Sequence, residues 1–476
     1  MGTPVQTGQP PAIKSYFFGK GYSDLGDTIA DAWRRNWASA SNYGGRGSYW
    51  LEQESFQKLL AAFWYGAALA VVVFGTLFTL LISLLHIVIL LAFFSVIYLL
   101  FSVVAVFERF VMLVRGFFSV CPNCHTRLHL PTYLCDRCGV EHPRLIPSSF
   151  GIIHHRCRCG QDLPCTLFAN RGRLQSKCPN CVTMLSREHT ESRKQFMPIV
   201  GGPSVGKSAY LFSLCRHLHD VTATRLGMSA GLIDTHQANT YRQVIDGMDR
   251  GRTPDKTVET MPKAFDILFR RSKRSDIALY LYDPAGEAFL DSSSLVPHKF
   301  LGYLSGIILL VDPFAFAEIR FRYAAQLRAA EKSIRPSSAN IDDIVARLIA
   351  AMEKDFGLSP SEKVKSPLAV VINKVDAFDL DELIGERALF SFPALRKESK
   401  EERRNRLIKT RLREWGEAGF VHQLETRFAK VRFFTVSALG HSPDARNTRF
   451  VAQRVEEPAL WVLSQSNRVW KRALSD

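Results

Sequence analysis

Residues 59–107 read LLAAFWYGAALAVVVFGTLFTLLISLLHIVILLAFFSVIYLLFSVVAVF, 49 positions without one Asp, Glu, Lys or Arg. No other stretch restricts the fold as strongly. A water-soluble helix keeps a polar face, and this run has none. One bilayer crossing takes roughly 20 apolar residues, so the run is long enough for two. It starts too far from the N-terminus, and is too long, for a signal peptide. The reading is a two-helix membrane hairpin over residues 59–117, with His86 at the turn on the far face. The alternative for His86 is an ionisable group working inside the membrane. Lys58 precedes the run, Arg109 and Arg115 follow it, and Arg34 and Arg35 lie upstream. Positive flanks favour the cytoplasm. Two crossings then put residues 1–58 and everything after residue 117 on the cytoplasmic side.

Charge is uneven in sign as well as in place. The net charge is +16, which suits nucleic acid, an anionic membrane or phosphates without choosing among them. Nine of the ten cysteines fall between Cys121 and Cys181. Short-spaced pairs point to metal rather than disulfides. In residues 118–190, CPNCHTRLHLPTYLCDRC pairs Cys121 and Cys124 with Cys135 and Cys138, the arrangement of a zinc ribbon. A second set takes Cys159, Cys178 and Cys181, with Cys157 as fourth ligand ahead of His155 or Cys165. Four protein ligands leave no open position, so both zinc sites are expected to be structural. The preferred reading is a metal-stapled spacer, and the alternative is a nucleic-acid-binding ribbon. Cys215, in AYLFSLCRHL, reads as a core residue.

From residue 191 to residue 476 apolar strands alternate with helical patterns, as in an α/β domain. Strands are expected at 196–200, 263–270, 277–283, 305–312, 367–373 and 431–436. Helices are expected at 206–219, 234–248, 316–332, 341–355, 398–416 and 454–466. The first strand runs into GGPSVGKS, which gives Gly201, Gly202, Pro203, Ser204, Val205, Gly206, Lys207 and Ser208 in P-loop spacing before a helix. Glycines let the backbone wrap phosphates, and the amides and helix N-terminus meet their charge. Lys207 is expected on the β- and γ-phosphates and Ser208 on Mg²⁺. Asn373, Lys374 and Asp376 follow another apolar strand in VVINKVDAF. A carboxylate there accepts two hydrogen bonds from guanine N1 and N2, a donor pair adenine lacks, and Lys374 lays its stem over the base. Ser437, Ala438 and Leu439 follow the last strand, where a backbone amide meets guanine O6.

Together GGPSVGKS, DPAG, NKVD and SAL resemble a Ras-like P-loop GTPase of the translation-factor-related class. More narrowly, with DxxGE and RVEEPALWVL, the chain is similar to bacterial double-GTPase proteins of conflict-system gene clusters. The resemblance implies a doubly wound, mostly parallel sheet with GTP or GDP at the carboxyl ends of its strands. It gives Asp283 to Mg²⁺ through water and the Gly286 amide to the γ-phosphate, making the turn after Asp283 a switch. Thr257 is favoured as the other switch residue and Mg²⁺ ligand, from the likeness of TPDKT and its spacing. Thr260 and Thr253 are the competitors. Glu287 stands where many such GTPases have glutamine: it positions water through one acceptor bond, turns outward to a cation, or marks hydrolysis that waits for a partner. Arg252, at the end of an extra helix, is a candidate arginine finger in cis. Its alternative is a helix C-terminal cation.

The expected protein is a GTPase switch integral to a bacterial inner membrane. It binds Mg·GTP, hydrolyses it slowly and signals to protein effectors, in a defence or conflict system and with an oligomer open to it. Two other readings compete. One is a nucleic-acid-binding membrane protein whose ribbons the GTPase gates, and the other is a scaffold that binds nucleotide without turnover. The basic stretch LRKESKEERRNRLIKTRLREW reads as a solvated helix face, with anionic lipid as its alternative partner.

Overall fold

In the computed structural model of the chain, the residues described are 10–53, 58–115, 119–121, 126–128, 130–185, 192–254 except 234, 264–270, 276–282, 304–330, 334–443 except 360, and 448–466, with the single residues 56, 124, 470, 471 and 474. Thr257, Thr260, Asp283, Gly286 and Glu287 lie outside them. The chain forms two compact units. One contains Met1–Gly116 and Leu130–Arg187, and the other contains Phe117–His129 and Glu188–Asp476.

In the first unit the apolar run is one helix, not a hairpin. Helical segments Lys58–Ala70, Val71–Gly75 and Thr76–Arg115 follow each other without a break, the middle one a π-helical turn. His86 sits inside the last segment and no turn forms there. The physical reason is in the residues: 76–115 holds neither glycine nor proline, and one histidine does not stop a helix. At 1.5 Å per residue the apolar helix Lys58–Leu113 is ~84 Å long, well beyond a ~30 Å hydrocarbon core. The route that returned both flanks to one side therefore does not hold.

The reversal lies earlier. Helix Lys20–Leu51 runs antiparallel to the apolar helix. Tyr22 stacks on Phe94 at 4.7 Å and Tyr43 on Trp64 at 5.8 Å between ring centroids. Arg46 lies over the Trp64 ring at 4.8 Å, a cation–π contact. Gly47 packs directly on the Tyr65 ring.

The apolar helix ends in a polar anchor. Glu108 and Arg171 are both buried and 3.6 Å apart. Glu108 accepts the Leu167 amide at 2.9 Å, and Arg171 donates to the carbonyls of Leu145 and Cys165, each at 3.0 Å. Phe107 stacks on Phe168 beside this pair. Buried charges persist only when paired and hydrogen-bonded. These contacts fix the helix end to the Cys-rich segment.

In the second unit seven strands form one sheet: β1 Arg193–Val200, β2 Ser229–Leu232, β3 Ala264–Arg270, β4 Ile277–Tyr282, β5 Ile307–Val311, β6 Leu368–Ile372 and β7 Val431–Thr435. Their spatial order is β2-β3-β4-β1-β5-β6-β7. Pairs β4–β1, β1–β5, β5–β6 and β6–β7 are parallel, while β2–β3 and β3–β4 are antiparallel. Every residue of β5 and β6 is buried, as central parallel strands require. Alternate side chains serve two cores. Ile199, Ile308, Leu310 and Val371 pack with α1 (Lys207–Arg216) and α6 (Glu456–Ser466). Val200, Leu309, Val311 and Val370 pack with α3 (Ile341–Phe356), α4 (Lys400–Glu414) and α5 (Ala418–Arg427). The sheet is thus wound on both faces, the mixed α/β class expected.

Three local readings change. Edge strand β2 and helix α5 were not anticipated. SAGL has little intrinsic strand preference and pairs only because β3 offers an edge. The single helix expected at 316–332 is two pieces, Ala317–Arg322 and Ala324–Ala329, parted at Tyr323.

Candidate functional site: a phosphate loop joined to base-reading loops

The C-terminal ends of β1, β6 and β7 meet the N-terminus of α1, and the quoted motifs sit there. Helix α1 starts at Lys207, directly after Gly206 in the left-handed region at φ +89°. A Cβ on Gly206 would come within 2.7 Å of the Asn373 amide nitrogen. Glycine is needed at this position for both reasons. Gly201 is equally confined, since a Cβ would meet the Leu310 carbonyl at 2.6 Å. Lys207 Nζ folds back onto the carbonyls of Gly201 and Gly202, at 3.0 and 2.9 Å. Ser208 follows in the first turn of α1.

Asn373 is buried and ties two loops. Its Nδ2 donates to the Val205 carbonyl at 2.9 Å, and its Oδ1 accepts the Ala438 amide at 3.1 Å. Asp376 accepts a hydrogen bond from the Ser437 hydroxyl. That same hydroxyl oxygen accepts the Gly440 amide at 2.6 Å. Ser213 on α1 donates to the Ala438 carbonyl at 2.7 Å. The stretches 201–208, 373–376 and 437–439, far apart in sequence, therefore share one hydrogen-bonded frame. Such a frame presents N–H groups at a helix N-terminus, suited to phosphate, beside a carboxylate suited to a donor pair on a base.

One family model, Double-GTPase 2, matches residues 195–446. The chain belongs to the Double-GTPase 2 family. Its α/β unit is thus a GTPase-like nucleotide-binding domain, as the resemblance to double-GTPase proteins drawn from the motifs implied. The solved structures this double-GTPase chain is similar to include the S. cerevisiae Ski7 GTPase-like domain bound to GTP. That match has 15% identity and a TM-score of 0.27, over 52% of this chain and 43% of the other. Sup35 complexed with GMPPNP matches at 14% identity and a TM-score of 0.20, over 52% of this chain and 38% of the other. The chain spans less than half of either. No curated protein matched significantly.

Sequence reading missed one residue at this site of the double-GTPase chain. Asp312, directly after β5, is buried and lies 2.7 Å from Lys374 Nζ. The signal was the strand-ending VDPFAF, where an aspartate before proline caps the following turn. Arg252 is placed as expected at the end of α2 (Thr235–Asp249), its amide donating to Gly247 O at 2.9 Å. Its side chain is exposed.

The eight cysteines chosen as metal ligands pair differently from the sets expected. Cys135 and Cys138 meet Cys157 and Cys159, not Cys121 and Cys124. All four sulfurs of that group lie within 4.8 Å of one another. The physical reason is strand pairing. Thr132–Leu134 pairs with Ser176–Lys177 as well as with Glu141–His142, which interleaves the two halves instead of stacking them. In that group the Cys135–Cys159 and Cys138–Cys157 sulfurs are 3.6 Å apart. Four ligands at ~2.3 Å in a tetrahedron stand ~3.8 Å apart, whereas a disulfide needs ~2 Å, so the donor set fits zinc. Burial pushes the Cys157 thiol up to about 12, while a hydrogen bond from the Gln161 amide brings Cys159 down to about 7.

The two alternative fourth ligands have other partners. His155 Nε2 lies 3.1 Å from Ser148 Oγ, and burial pushes its ring down to about 4. Cys165 points at the Ile152 carbonyl, 3.2 Å away, and burial raises its thiol to about 12. Cys215 is buried in α1, a core residue as read. The basic helix α4 spends its charges internally: Arg404 pairs with Glu386 and Glu457, Arg406 with Glu398, and Lys409 with Glu425.

Proposed function

We propose that the protein is a membrane-anchored GTPase switch that binds Mg·GTP, hydrolyses it slowly and signals to protein partners. The observation that carries this reading is the Asn373 bridge between Val205 and Ala438, with Asp376 held by Ser437. It sets a base-reading carboxylate at a fixed place relative to the phosphate loop. In this reading residues 201–208 cradle the phosphates, with Lys207 leaving the Gly201 and Gly202 carbonyls for the β- and γ-phosphates. Ser208, with Asp283 and Thr257, would hold Mg²⁺, which offsets phosphate charge as the leaving group departs. Asp376 accepts from guanine N1 and N2, Lys374 covers the base, and the 437–439 amides face O6. The Gly286 amide meets the γ-phosphate and Glu287 orients or awaits the means of hydrolysis.

The apolar helix Lys58–Leu113 supports membrane anchoring, because almost no residue of an apolar 18-residue stretch within it is buried in the protein. Arg109 and Arg115 at its end favour a cytoplasmic GTPase domain. The cysteine groups would each hold one structural zinc, which supplies folding energy to a segment with a small core.

The test is nucleotide binding and phosphate release by the full chain in detergent, GTP against ATP. GTP is expected to bind and ATP not. Asp376→Asn removes a charge-assisted pair of hydrogen bonds and is expected to lower GTP affinity roughly 10- to 100-fold while admitting xanthosine triphosphate. Equal binding of ATP by the unaltered protein defeats the guanine assignment. Binding without phosphate release defeats the switch.

A further inference from the structure

The Lys374 ammonium is fully engaged by the protein itself. Nζ donates to Ser204 O at 2.8 Å, Asp312 Oδ2 at 2.7 Å and Arg335 O at 2.8 Å. An ammonium has three N–H donors, so none remains for a nucleotide. Asp312 is matched to this arrangement. Its side chain is wholly buried, and besides Lys374 it takes the Phe314 amide on Oδ1 at 3.0 Å and the Ser337 amide on Oδ2 at 2.8 Å. A buried carboxylate needs a cation, and Lys374 supplies it. Lys374 also holds a positive φ of 58°, uncommon for a non-glycine residue. Local strain of that kind persists where surrounding contacts over-determine it.

The three acceptors belong to different parts of the domain. Ser204 lies in the phosphate loop, Asp312 ends β5, and Arg335 lies in the segment before α3. That segment and the first turn of α3 press on the phosphate loop: a Cβ on Gly202 would meet Ala339, Ile344 and Ser337, each at 3.0 Å. Arg320 holds the same segment from below, donating to Ser337 O at 2.9 Å.

We propose that Asp312 is a positioning residue for nucleotide retention. Its carboxylate fixes the Lys374 ammonium against the phosphate loop, so Lys374 serves the base through its methylene stem and not through its charge. Release of nucleotide requires the phosphate loop and the base-reading loops to part, and this staple opposes that. Base choice stays with Asp376. The inference rests on the guanine-nucleotide reading above.

The test is the release rate of a fluorescent GDP from the full-length protein, with a double-mutant cycle. Asp312→Asn keeps the size of the side chain and an oxygen for the Phe314 amide while removing the charge. It is expected to speed release roughly tenfold or more, the scale of a lost charged hydrogen bond, and to leave the preference for GTP over ATP and xanthosine triphosphate unchanged. In a Lys374→Met background the same substitution is expected to change release less than twofold, or to slow it. An unchanged rate in the single variant overturns the proposal. So does an equal acceleration in the Lys374→Met background, which is the mark of general loosening. A shift in base preference overturns the division of roles. Circular dichroism checks folding, and if Asp312→Asn does not fold, Asp312→Ser, which keeps an oxygen near the Phe314 amide, carries the same cycle. Absence of guanine-nucleotide binding by the unaltered protein would strike the GTPase reading instead.

Discussion

The Cys-rich segment and the α/β domain solve the same problem with different means. Among the described residues, the hydrophobic cluster of the Cys-rich segment has seven buried members, three of them cysteines. The α/β sheet has a large apolar core on each face. A sheet buried on both faces pays its ordering entropy with apolar area. Residues 130–185 have too little of it, and have instead cysteine sulfurs grouped as a metal would need them and one buried ion pair. The lesson is about fragility. Removing a single side chain from the sheet leaves a defect in a core, whereas removing one from the Cys-rich segment removes a support.

That contrast can be broken most directly at the metal ligands. Cys157→Ser, or treatment with a strong zinc chelator, is expected to unfold residues 130–185, since structural zinc contributes on the order of 10–16 kcal/mol in small modules. The α/β domain should keep its own melting transition. Region-resolved hydrogen exchange with zinc content by mass spectrometry reads both. Two zinc ions per chain are expected, and protection of 130–185 that survives metal removal would show that its small core suffices.

The ion pair gives the next effect. Arg171→Met leaves the Glu108 carboxylate buried without its cation and is expected to destabilise the first unit by about 3–5 kcal/mol. The Glu108→Gln/Arg171→Met double variant should recover most of that loss. Chemical denaturation of the three proteins measures it, and additive losses would mean the two groups act independently.

The smallest effect belongs to the α/β domain. Gly202→Ala brings a methyl group to 3.0 Å from Ala339, Ile344 and Ser337. Overpacking of this degree costs about 1 kcal/mol or slightly more. The domain is expected to melt a few degrees lower and stay folded. A collapse comparable to that of Cys157→Ser would erase the distinction between the two regions.

How much of this was legible beforehand follows the same division. Residues 201–208, 373–376 and 437–439 could be assigned to the ends of β1, β6 and β7, because a strand pattern and the loop after it are contiguous in sequence. The two cysteine groups could not be assigned correctly. Spacing identifies each chelating pair but not which pairs meet, and that is decided by Thr132–Leu134 pairing with Ser176–Lys177. The apolar run was read from length as two helices, but chain reversal needs turn residues, and residues 76–115 offer none. The role of Asp312 was hidden for a third reason: VDPFAF marks only a turn cap, and its partners Ser337 and Lys374 lie 25 and 62 positions away.

What the sequence alone indicated is therefore local chemistry: a phosphate-loop pattern, a carboxylate placed to read a base, cysteines in short chelating pairs and one long apolar run. The tertiary structure decided which of these meet. Pairing over long separations is set by sheet register and buried charge, and neither leaves a periodic trace in the chain.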